Sequence, residues 1–576
     1  MSDFASAWGT RIVTEQVLGV PGSVFECRPR SVADLLVNAH RFGDRPHVIQ
    51  GELRLTFDQL LGTTASFAEQ LRGRFSLTRG DRVLLLGANS IEWIAMFWTC
   101  VSQGWVVCTG NAWWSRDVIA EVIGMMDLRL VVADERRLPL VPNDVASVSF
   151  DELALSGAGS DASRVVDVDE DDPAVIVFTS GTTGTPKGAV LSHRNLIAST
   201  QNTLVSSHQL PARGTSRQRT SLLSVPLFHV GAVQQLLLSI FAGGTMTFLK
   251  GRFDPREVIR LLREEQIVAW SAVPTMVSRT LDAMEATPGA SGDKLALRSL
   301  TMGAAPVAGV LWERVNACFP DVKRGAAVSY GLTEAAGAVT AAVGQDLADR
   351  PGSVGRPLPT IELAVDKPDA EGVGEILVRG PTVMLGYWNE PNSSVITSDR
   401  WLRTGDLGRI DADGYLYLTG RGKDVVIRGG ENISARRVEA RLQEHPAVLD
   451  VAVIGLPHAD LGEEVAAAVV LRINALATVA ELAAFATEGL AHFEVPTRWS
   501  ISHTDLPRTA SGKVVKREVA ASRWGLTVEN LGQRRWSQHA DAGARSPGPA
   551  RAADSHSITW DGPSGRQSHP TRQGRS

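Results

Sequence analysis

The sequence predicts an α/β protein: a large N-terminal domain of layered α/β subdomains plus a β-rich subdomain, followed by a small α+β C-terminal domain. Three observations carry this prediction. Short apolar runs alternate with helical patterns through about residues 80 to 330, as strands and helices do in layered α/β folds. From about residue 351 the texture shifts to GEILVRG, YLYLTG and several Gly and Pro turns, which reads as a compact β-rich unit. After residue 420 helical and strand-like segments alternate again over a shorter span. The predicted divisions are 1–420, 421–525 and a tail, 526–576.

Each element has a local reason. DDPAVIVFTS reads as a buried strand running into a polar loop, and GAVLSH as a second strand. RNLIASTQNTLV follows as a helix with Ser192 as its N-cap. TSLLSVPLFHVGA and GGTMTFLK flank another helix. No Asp, Glu, Lys or Arg occurs between Arg219 and Lys250, but Pro226, His229, Gln234 and Gln235 interrupt that run, which favours a buried strand and helix over a membrane span. In the small lobe SARRVEARLQEH is helical, VLDVAVIG and EVAAAVVL are strands, and TVAELAAFATEGLAHF is a helix opened by a capping box from Thr478 to Glu481. Beyond about residue 530 the chain turns to Ser, Gly, Pro, Arg, His and Gln, too polar to offset ordering entropy, so the tail is expected to be solvated and disordered.

At 576 residues the chain is too long for one hydrophobic core. A net charge of -5 on that length is nearly balanced and indicates neither a nucleic-acid footprint nor a strong membrane field. Cys27, Cys100, Cys108 and Cys318 have neither a paired framework nor metal-ligand spacing and read as buried thiols in a reducing, cytoplasmic setting. The N-terminus has no apolar h-region, so no signal peptide is expected.

The chemistry centres on TSGTTGTPKG, residues 179 to 188. Gly181 and Gly184 let backbone amides approach oxygens closely; Thr179, Ser180, Thr182 and Thr183 add hydroxyl donors, and Lys187 a point charge. That set suits a phosphate chain. It departs from the Walker pattern, because Pro186 precedes Lys187 and Gly188 follows it.

Further motifs stand in order: PLFHVGA (226–232), MGAAP (302–306), SYGLTE (329–334), TGD (404–406), GRGKDVVIRGGENI (420–433) and LPRTASGK (506–513). With the Gly-rich loop, they make the chain resemble the adenylate-forming superfamily of acyl-CoA synthetases, peptide-synthetase adenylation domains and beetle luciferases, nearest to the fatty-acid–CoA ligases, over about residues 30 to 520. The resemblance implies an ATP/AMP site made of the phosphate loop with Ala304, Ala305, Ser329, Tyr330, Gly331, Thr333, Glu334, Asp406, Arg421 and Lys513. Tyr330 would face adenine, and Asp406 would accept from the ribose hydroxyls. Glu334 and Ser180 would hold magnesium, which needs few protein oxygens because phosphates and waters fill its shell. Lys513, with Lys187 and Glu334, would be catalytic, bridging the acid's carboxylate and the α-phosphate as charge develops.

The resemblance also implies a hinge at Lys423 about which the small domain turns, and a coenzyme A path past Gly429 and Gly430 with Arg252 at a phosphate. It places the acyl pocket at His229, Gly231 and Gly303, among Ala232, Ala335, Ala336 and Gly337. No charged group appears there to pair with an amino group, which favours an apolar tail and hence a medium- or long-chain fatty acid. Two departures stand out: Ser434-Ala435 where the family often has Tyr-Pro, and Glu494 where many relatives have Lys. The expected activity is ATP-dependent formation of acyl-AMP, then of acyl-CoA, by a small-molecule carboxylic acid, ATP and coenzyme A. The alternatives are a free-standing enzyme loading a separate carrier protein, and a nucleotide-binding module without turnover. No phosphopantetheine attachment motif follows the small lobe; peripheral membrane contact is left open, as is the oligomeric state.

Overall fold

Strand Arg82–Leu86 (RVLLL) is an unbroken apolar run from Val83 onward, and it lies inside a seven-stranded sheet, parallel to Val106–Gly110 on one side and Leu130–Ala133 on the other. Strands covered on both faces need no polar alternation, so they read as continuous hydrophobic runs. The order across this sheet is Gly386–Tyr387, Pro186–Ser192, Pro173–Ser180, Val106–Gly110, Arg82–Leu86, Leu130–Ala133 and Ser147–Ser149. The structure is a computed structural model. It describes residues 8–153, 165–180, 186–210, 218–249, 251, 253–286, 295–303, 305, 307, 309–322, 324–390, 393–429, 431–509 and 512–526.

A nine-stranded sheet packs beside the first, in the order Arg356–Pro357, Gly337–Val343, Ala326–Leu332, Ser299–Gly303, Ala269–Ala272, Thr220–Leu223, Thr245–Phe248, Pro46–Gln50 and Leu53–Thr56. Its middle is parallel, with antiparallel pairs at both ends. Both sheets share one hydrophobic core, in which Trp93, Trp98, Trp105 and Phe97 are fully buried. Serine caps start several helices: the side chains of Ser90, Ser115 and Ser192 accept from Trp93, Val118 and Asn195 N–H. The uncharged stretch after Arg219 is strand Thr220–Leu223, helix Val230–Ala242 and strand Thr245–Phe248, as its polar interruptions predict. Among the described residues no helix is long and apolar enough to cross a membrane.

The β-rich unit is a four-stranded antiparallel sheet, Glu362–Asp366, Gly374–Arg379, Leu402–Ile410 and Leu416–Arg421. Beyond it the small lobe has its own core of Val426, Ile433, Val453, Val465, Val469 and Leu482 under a five-stranded sheet. The capping box at Thr478 forms, but its helix runs Val479–Thr487 and not on to Phe493. Gly489 and Leu490 N–H both turn back to the Ala486 carbonyl, and Ala491 N–H donates to Glu494, which ends the helix. The thiol expectation holds for Cys100 and Cys108 only: Cys318 is half-buried, and Cys27, just past the hairpin strand Val20–Phe25, is exposed. The expected disordered tail, residues 527–576 of it, lies outside the described residues.

Burial pushes His47, His193 and His229 each down to about 4. Their unfolded value is about 6.5, so the unfolded chain binds more protons between these limits. Stability is therefore fully present above about pH 6.5 and falls as pH drops towards 4, by up to about 4 kcal/mol per pH unit if all three titrate together. Thermal unfolding followed from pH 7.5 to 4.5 should show this loss, and His47→Phe should shrink it; a flat midpoint across that range contradicts it.

Candidate active site

Asp406 is the centre of the site. Strands Leu402–Ile410 and Leu416–Arg421 pair antiparallel with Asp406 directly opposite Arg421, and Arg421 Nε donates to Asp406 Oδ1 at 2.8 Å. The other carboxylate oxygen accepts the Tyr330 hydroxyl at 2.7 Å. Tyr330 comes from the nine-stranded sheet, so this bond joins the two sheets across the cleft. Burial, helped by the Asp406 charge, pushes the Tyr330 phenol well above its ordinary range and keeps it a donor.

Backbone packing sets the segment around Tyr330. A side chain at Gly331 would lie 2.1 Å from the Gly337 carbonyl, so only glycine permits the tight return from Ala326–Leu332 to Gly337–Val343. The short helical turn Thr333–Ala335 in that return carries Glu334. Gly303 lies opposite Ser329 in the adjoining parallel strand, where a Cβ would come within 3.1 Å of the serine.

Lys513 arrives from the small lobe. Its loop closes on itself through Thr509 N–H to the Lys513 carbonyl at 2.7 Å and Lys513 N–H to Thr509 Oγ1 at 3.2 Å. Arg508 braces the loop by bonding the Gly512 carbonyl and Asp450. Lys516 braces the far side, 2.8 Å from Glu439 and 3.7 Å from Asp424. Gly512 adopts φ +81° and sits against Val273 of the large lobe. Burial first, then the Arg421 charge, pushes the Lys513 ammonium below its ordinary value, while Asp406 and Glu334 oppose. Yet the residue is exposed. A group with protein around it and water in reach lines an open cleft.

A second cluster lies at the mouth of the phosphate loop. Pro173–Ser180 and Pro186–Ser192 pair antiparallel with Thr179 opposite Lys187. Lys187 Nζ is 2.8 Å from Glu390 and 5.2 Å from the Tyr387 ring centroid. The Tyr387 hydroxyl donates to Glu334 Oε1 at 2.6 Å. Strand Gly386–Tyr387 pairs with Pro186–Ser192, which brings these residues together.

The AMP-binding enzyme family matches residues 35–388, and its C-terminal domain matches residues 437–513. The chain belongs to the AMP-binding enzyme family. It is similar to the feruloyl-CoA synthase of Amycolatopsis sp, 33% identical over 497 residues covering 82% of this chain and 96% of the relative. It is also similar to the long-chain-fatty-acid–CoA ligase of Bacillus subtilis (strain 168), at 30% identity covering 84% and 92%. Among solved structures, ATP-bound MatB from Rhodopseudomonas palustris superposes with a TM-score of 0.74 at 29% identity, covering 85% of this chain and 98% of that one. The o-succinylbenzoate CoA synthetase of Bacillus subtilis, in complex with ATP and a magnesium ion, gives 0.71 at 27%, covering 84% and 98%. This is a family of acyl-CoA synthetase type, but the relatives are named for feruloyl, succinylbenzoate, oxalate and long-chain fatty acids alike, so the expected nearness to fatty-acid ligases in particular is not supported.

In this AMP-binding enzyme Tyr330, Asp406 and Arg421 thus meet directly, Lys187 and Glu334 meet through Tyr387 with Thr179 opposite Lys187, Ser329, Gly331 and Thr333 lie on the strand and turn that link Tyr330 to Glu334, and Lys513 is within electrostatic reach of Asp406 and Glu334. Ala305 is exposed. Gly181, Thr182, Thr183, Gly184, Ala304, Arg252 and Gly430 lie outside the described residues, as do the side chains of Ser180 and Lys423. The backbone of Lys423 lies in the short helical turn Gly422–Asp424 between the lobes' sheets. Gly429 has φ +59° at the tip of the hairpin Val425–Arg428/Glu431–Ser434, so a tight turn by itself accounts for that glycine.

His229, expected at the acyl pocket, precedes helix Val230–Ala242; its Nε2 is buried without a partner among the described residues, and the Lys513 charge adds to burial in keeping the ring neutral. A Cβ at Gly231 would meet nothing within 4 Å, so this helix face opens onto space. The two departures also have structural accounts. Ser434 caps helix Ala435–Gln443, and the buried Glu494 pairs with Arg437 at 3.3 Å.

Sequence reasoning missed three residues. Tyr387 and Glu390 hold Glu334 and Lys187, and Arg436 turns its charge towards Asp406, Glu439 and Tyr330 from the small lobe. Tyrosine scarcity was a usable signal: the chain has 4, and the hydroxyls of Tyr330 and Tyr387 each meet a carboxylate of the site. Tyr330→Phe removes one hydrogen bond to a charged group, about 1.5 kcal/mol. The expected result is roughly a tenfold rise in the KM for ATP with kcat within about twofold. An unchanged KM would separate the Tyr330–Asp406 bond from nucleotide binding.

Proposed function

We propose that this enzyme activates a carboxylic acid with ATP to an acyl-AMP and pyrophosphate, and then transfers the acyl group to the thiol of coenzyme A, releasing AMP. The observation that carries the reading is Lys513. A cation on the small lobe lies within electrostatic reach of both Asp406 and Glu334 of the large one.

The chemistry asks little proton transfer of the protein. A carboxylic acid is ionised near neutrality, so its oxygen attacks the α-phosphorus directly and pyrophosphate departs with the bonding electrons. The chain's task is to orient the partners and offset charge. Asp406 accepts from the ribose hydroxyls with the lone pairs left free by Tyr330 and Arg421. Lys187 meets the outgoing phosphates, and Lys513 meets charge growing between carboxylate and α-phosphate. Glu334 keeps one carboxylate oxygen after taking the Tyr387 hydroxyl, and no cluster of three metal-ligating side chains occurs among the described residues. That donor set fits magnesium carried mainly by phosphate oxygens, with Glu334 and Ser180 as protein oxygens. When bound, the ion neutralises phosphate charge.

Supporting a fatty acid as the substrate are the open space beside Gly231 and the buried apolar neighbours Ala232, Ala335 and Ala336. The division of the chain is read as 1–420 and 421–525, with the turn at Lys423 as hinge. The direct test is acid-dependent ATP–pyrophosphate exchange over saturated acids of graded length and over ferulate, followed by coenzyme A or a carrier protein. Fastest exchange with a fatty acid and thioester on coenzyme A is the expected result. Faster exchange with ferulate overturns the acid assignment, and transfer to the carrier alone overturns the acceptor. Lys187→Ala should slow exchange by about 10²-fold; a rate within twofold of wild type removes it from the phosphate site.

A further inference from the structure

Helix Pro274–Glu285 of the large lobe begins one residue after Val273, the side chain against which Gly512 seats the Lys513 loop. Further along, Ser278, Asp282 and Glu285 fall on one face at helical spacing. Arg472, just past the small-lobe strand Gly462–Leu471, reaches this face. Its Nη1 is 3.0 Å from Asp282 Oδ1 and 3.4 Å from Ser278 Oγ, while its Nε is anchored on the Pro446 carbonyl at 3.1 Å. A second crossing joins Arg279 of the same helix to Asp505, at 2.5 Å. This helix and its N-cap residue Val273 therefore meet the small lobe at Gly512, Asp505 and Arg472.

We infer that Arg472 and Asp282, seconded by Arg279 and Asp505, are positioning residues that hold the small lobe in the orientation delivering Lys513, and that they form a catch made to open. The inference rests on the acid-activation reading for its consequence in turnover.

Two features make the catch reversible. First, the junction is held by ion pairs without a shared apolar core. The small-lobe core and the core under this helix are separate clusters, and a cleft of about 250 Å³ lined by Asp282, Arg314, His445 and Arg472 lies between the lobes. Ion pairs that water can reach exchange at little cost, whereas a shared apolar core would lock the lobes. Second, Asp282 is doubly served. Arg314, on the large lobe's own helix Gly309–Cys318, bonds the same Oδ1 at 2.6 Å and Glu285 at 2.9 Å. When Arg472 leaves, Asp282 keeps a guanidinium, so departure strands no carboxylate. The two guanidiniums crowd one oxygen, and Arg314 joins burial in lowering the Arg472 pKa against the pull of Asp282.

Arg472→Gln tests this with Asp282 still paired to Arg314. In the full-length enzyme, acid-dependent ATP–pyrophosphate exchange should fall about two- to fivefold, as for a partly exposed ion pair. Thioester formation from supplied acyl-AMP, made with the acid that exchanges fastest, should be unchanged or faster. Arg279→Gln should act in the same direction and multiply the effect. Nitroxide labels at Glu313→Cys and Glu444→Cys, both exposed, in a Cys27→Ser, Cys318→Ser background, report the lobe orientation without any substrate. The expected result is a new longer-distance population in Arg472→Gln. Equal loss in both half-reactions, or label distances identical to those of the parent, overturns the inference. Absence of exchange with every acid in the parent would instead overturn the acid-activation reading, and the label distances would still decide whether these contacts hold the lobe.

Discussion

Lys513→Ala loses acyl-AMP formation by about 10³-fold and still converts supplied acyl-AMP to thioester at close to the parent rate. This is the largest effect the structure leads us to expect. A cation fixed in a cleft acts on developing charge far more strongly than one in bulk water, and losing a preorganised donor of this sort costs about 3–4 kcal/mol or more. The loop that carries Lys513 is held by backbone bonds, Arg508 and Lys516, so truncating the lysine side chain leaves the loop in place. Lys513→Arg keeps the charge but not the compact ammonium, and should restore little. The pH profile gives a second readout. Burial and Arg421 depress the Lys513 ammonium, so the alkaline limb of adenylation should lie below the ordinary lysine value of about 10.4. Loss of both half-reactions together in Lys513→Ala would contradict the role assigned to it.

Asp406→Ala is expected to damage both activity and the fold around the cleft. Asp406 is 6% exposed and receives Tyr330 and Arg421 on its two oxygens. Its removal leaves a buried phenol without its acceptor, a loss of about 1–3 kcal/mol. The Arg421 side chain is 54% exposed, so water takes over its half of the pair and adds little to that figure. Nucleotide binding should weaken by at least about 10²-fold, because a carboxylate facing ribose hydroxyls makes charge-assisted bonds. Asp406→Asn keeps the shape and should recover most of the stability but not the affinity. Calorimetric unfolding and ATP titration separate the two effects. Full ATP affinity in Asp406→Ala would remove this carboxylate from the ribose site.

How much of this was legible in the sequence depended on chain distance. Gly331, Asp406 and Arg421 could be named only through the motifs that carry them; that Gly331 permits a return too tight for a side chain, and that Asp406 and Arg421 pair across two strands, came with the structure. The helix starts are where local constraint was legible: Ser192 and Thr478 announced their helices. The bonds that complete the site join segments far apart. Lys187 and Glu390 are 203 positions apart, Arg472 and Asp282 190, and no local pattern encodes such meetings. Tyr387 was invisible as an active-site residue because its strand is two residues long. The acid remained beyond reach because the walls near Gly231 and Gly303 are small residues, whose lack of bulk fixes no single occupant.

The Lys187–Glu390 pair carries a consequence for the order of events. On the proposed reading, the cation that greets the triphosphate is already neutralised by a neighbouring carboxylate. Nucleotide arrival is then a swap of counter-ions rather than the filling of a vacancy, which moderates affinity and protects the resting protein from stray anions. Once the swap has occurred, Glu390 is left beside the departing diphosphate with like charge. The same glutamate that guards the empty lysine would thereby help to eject the spent leaving group.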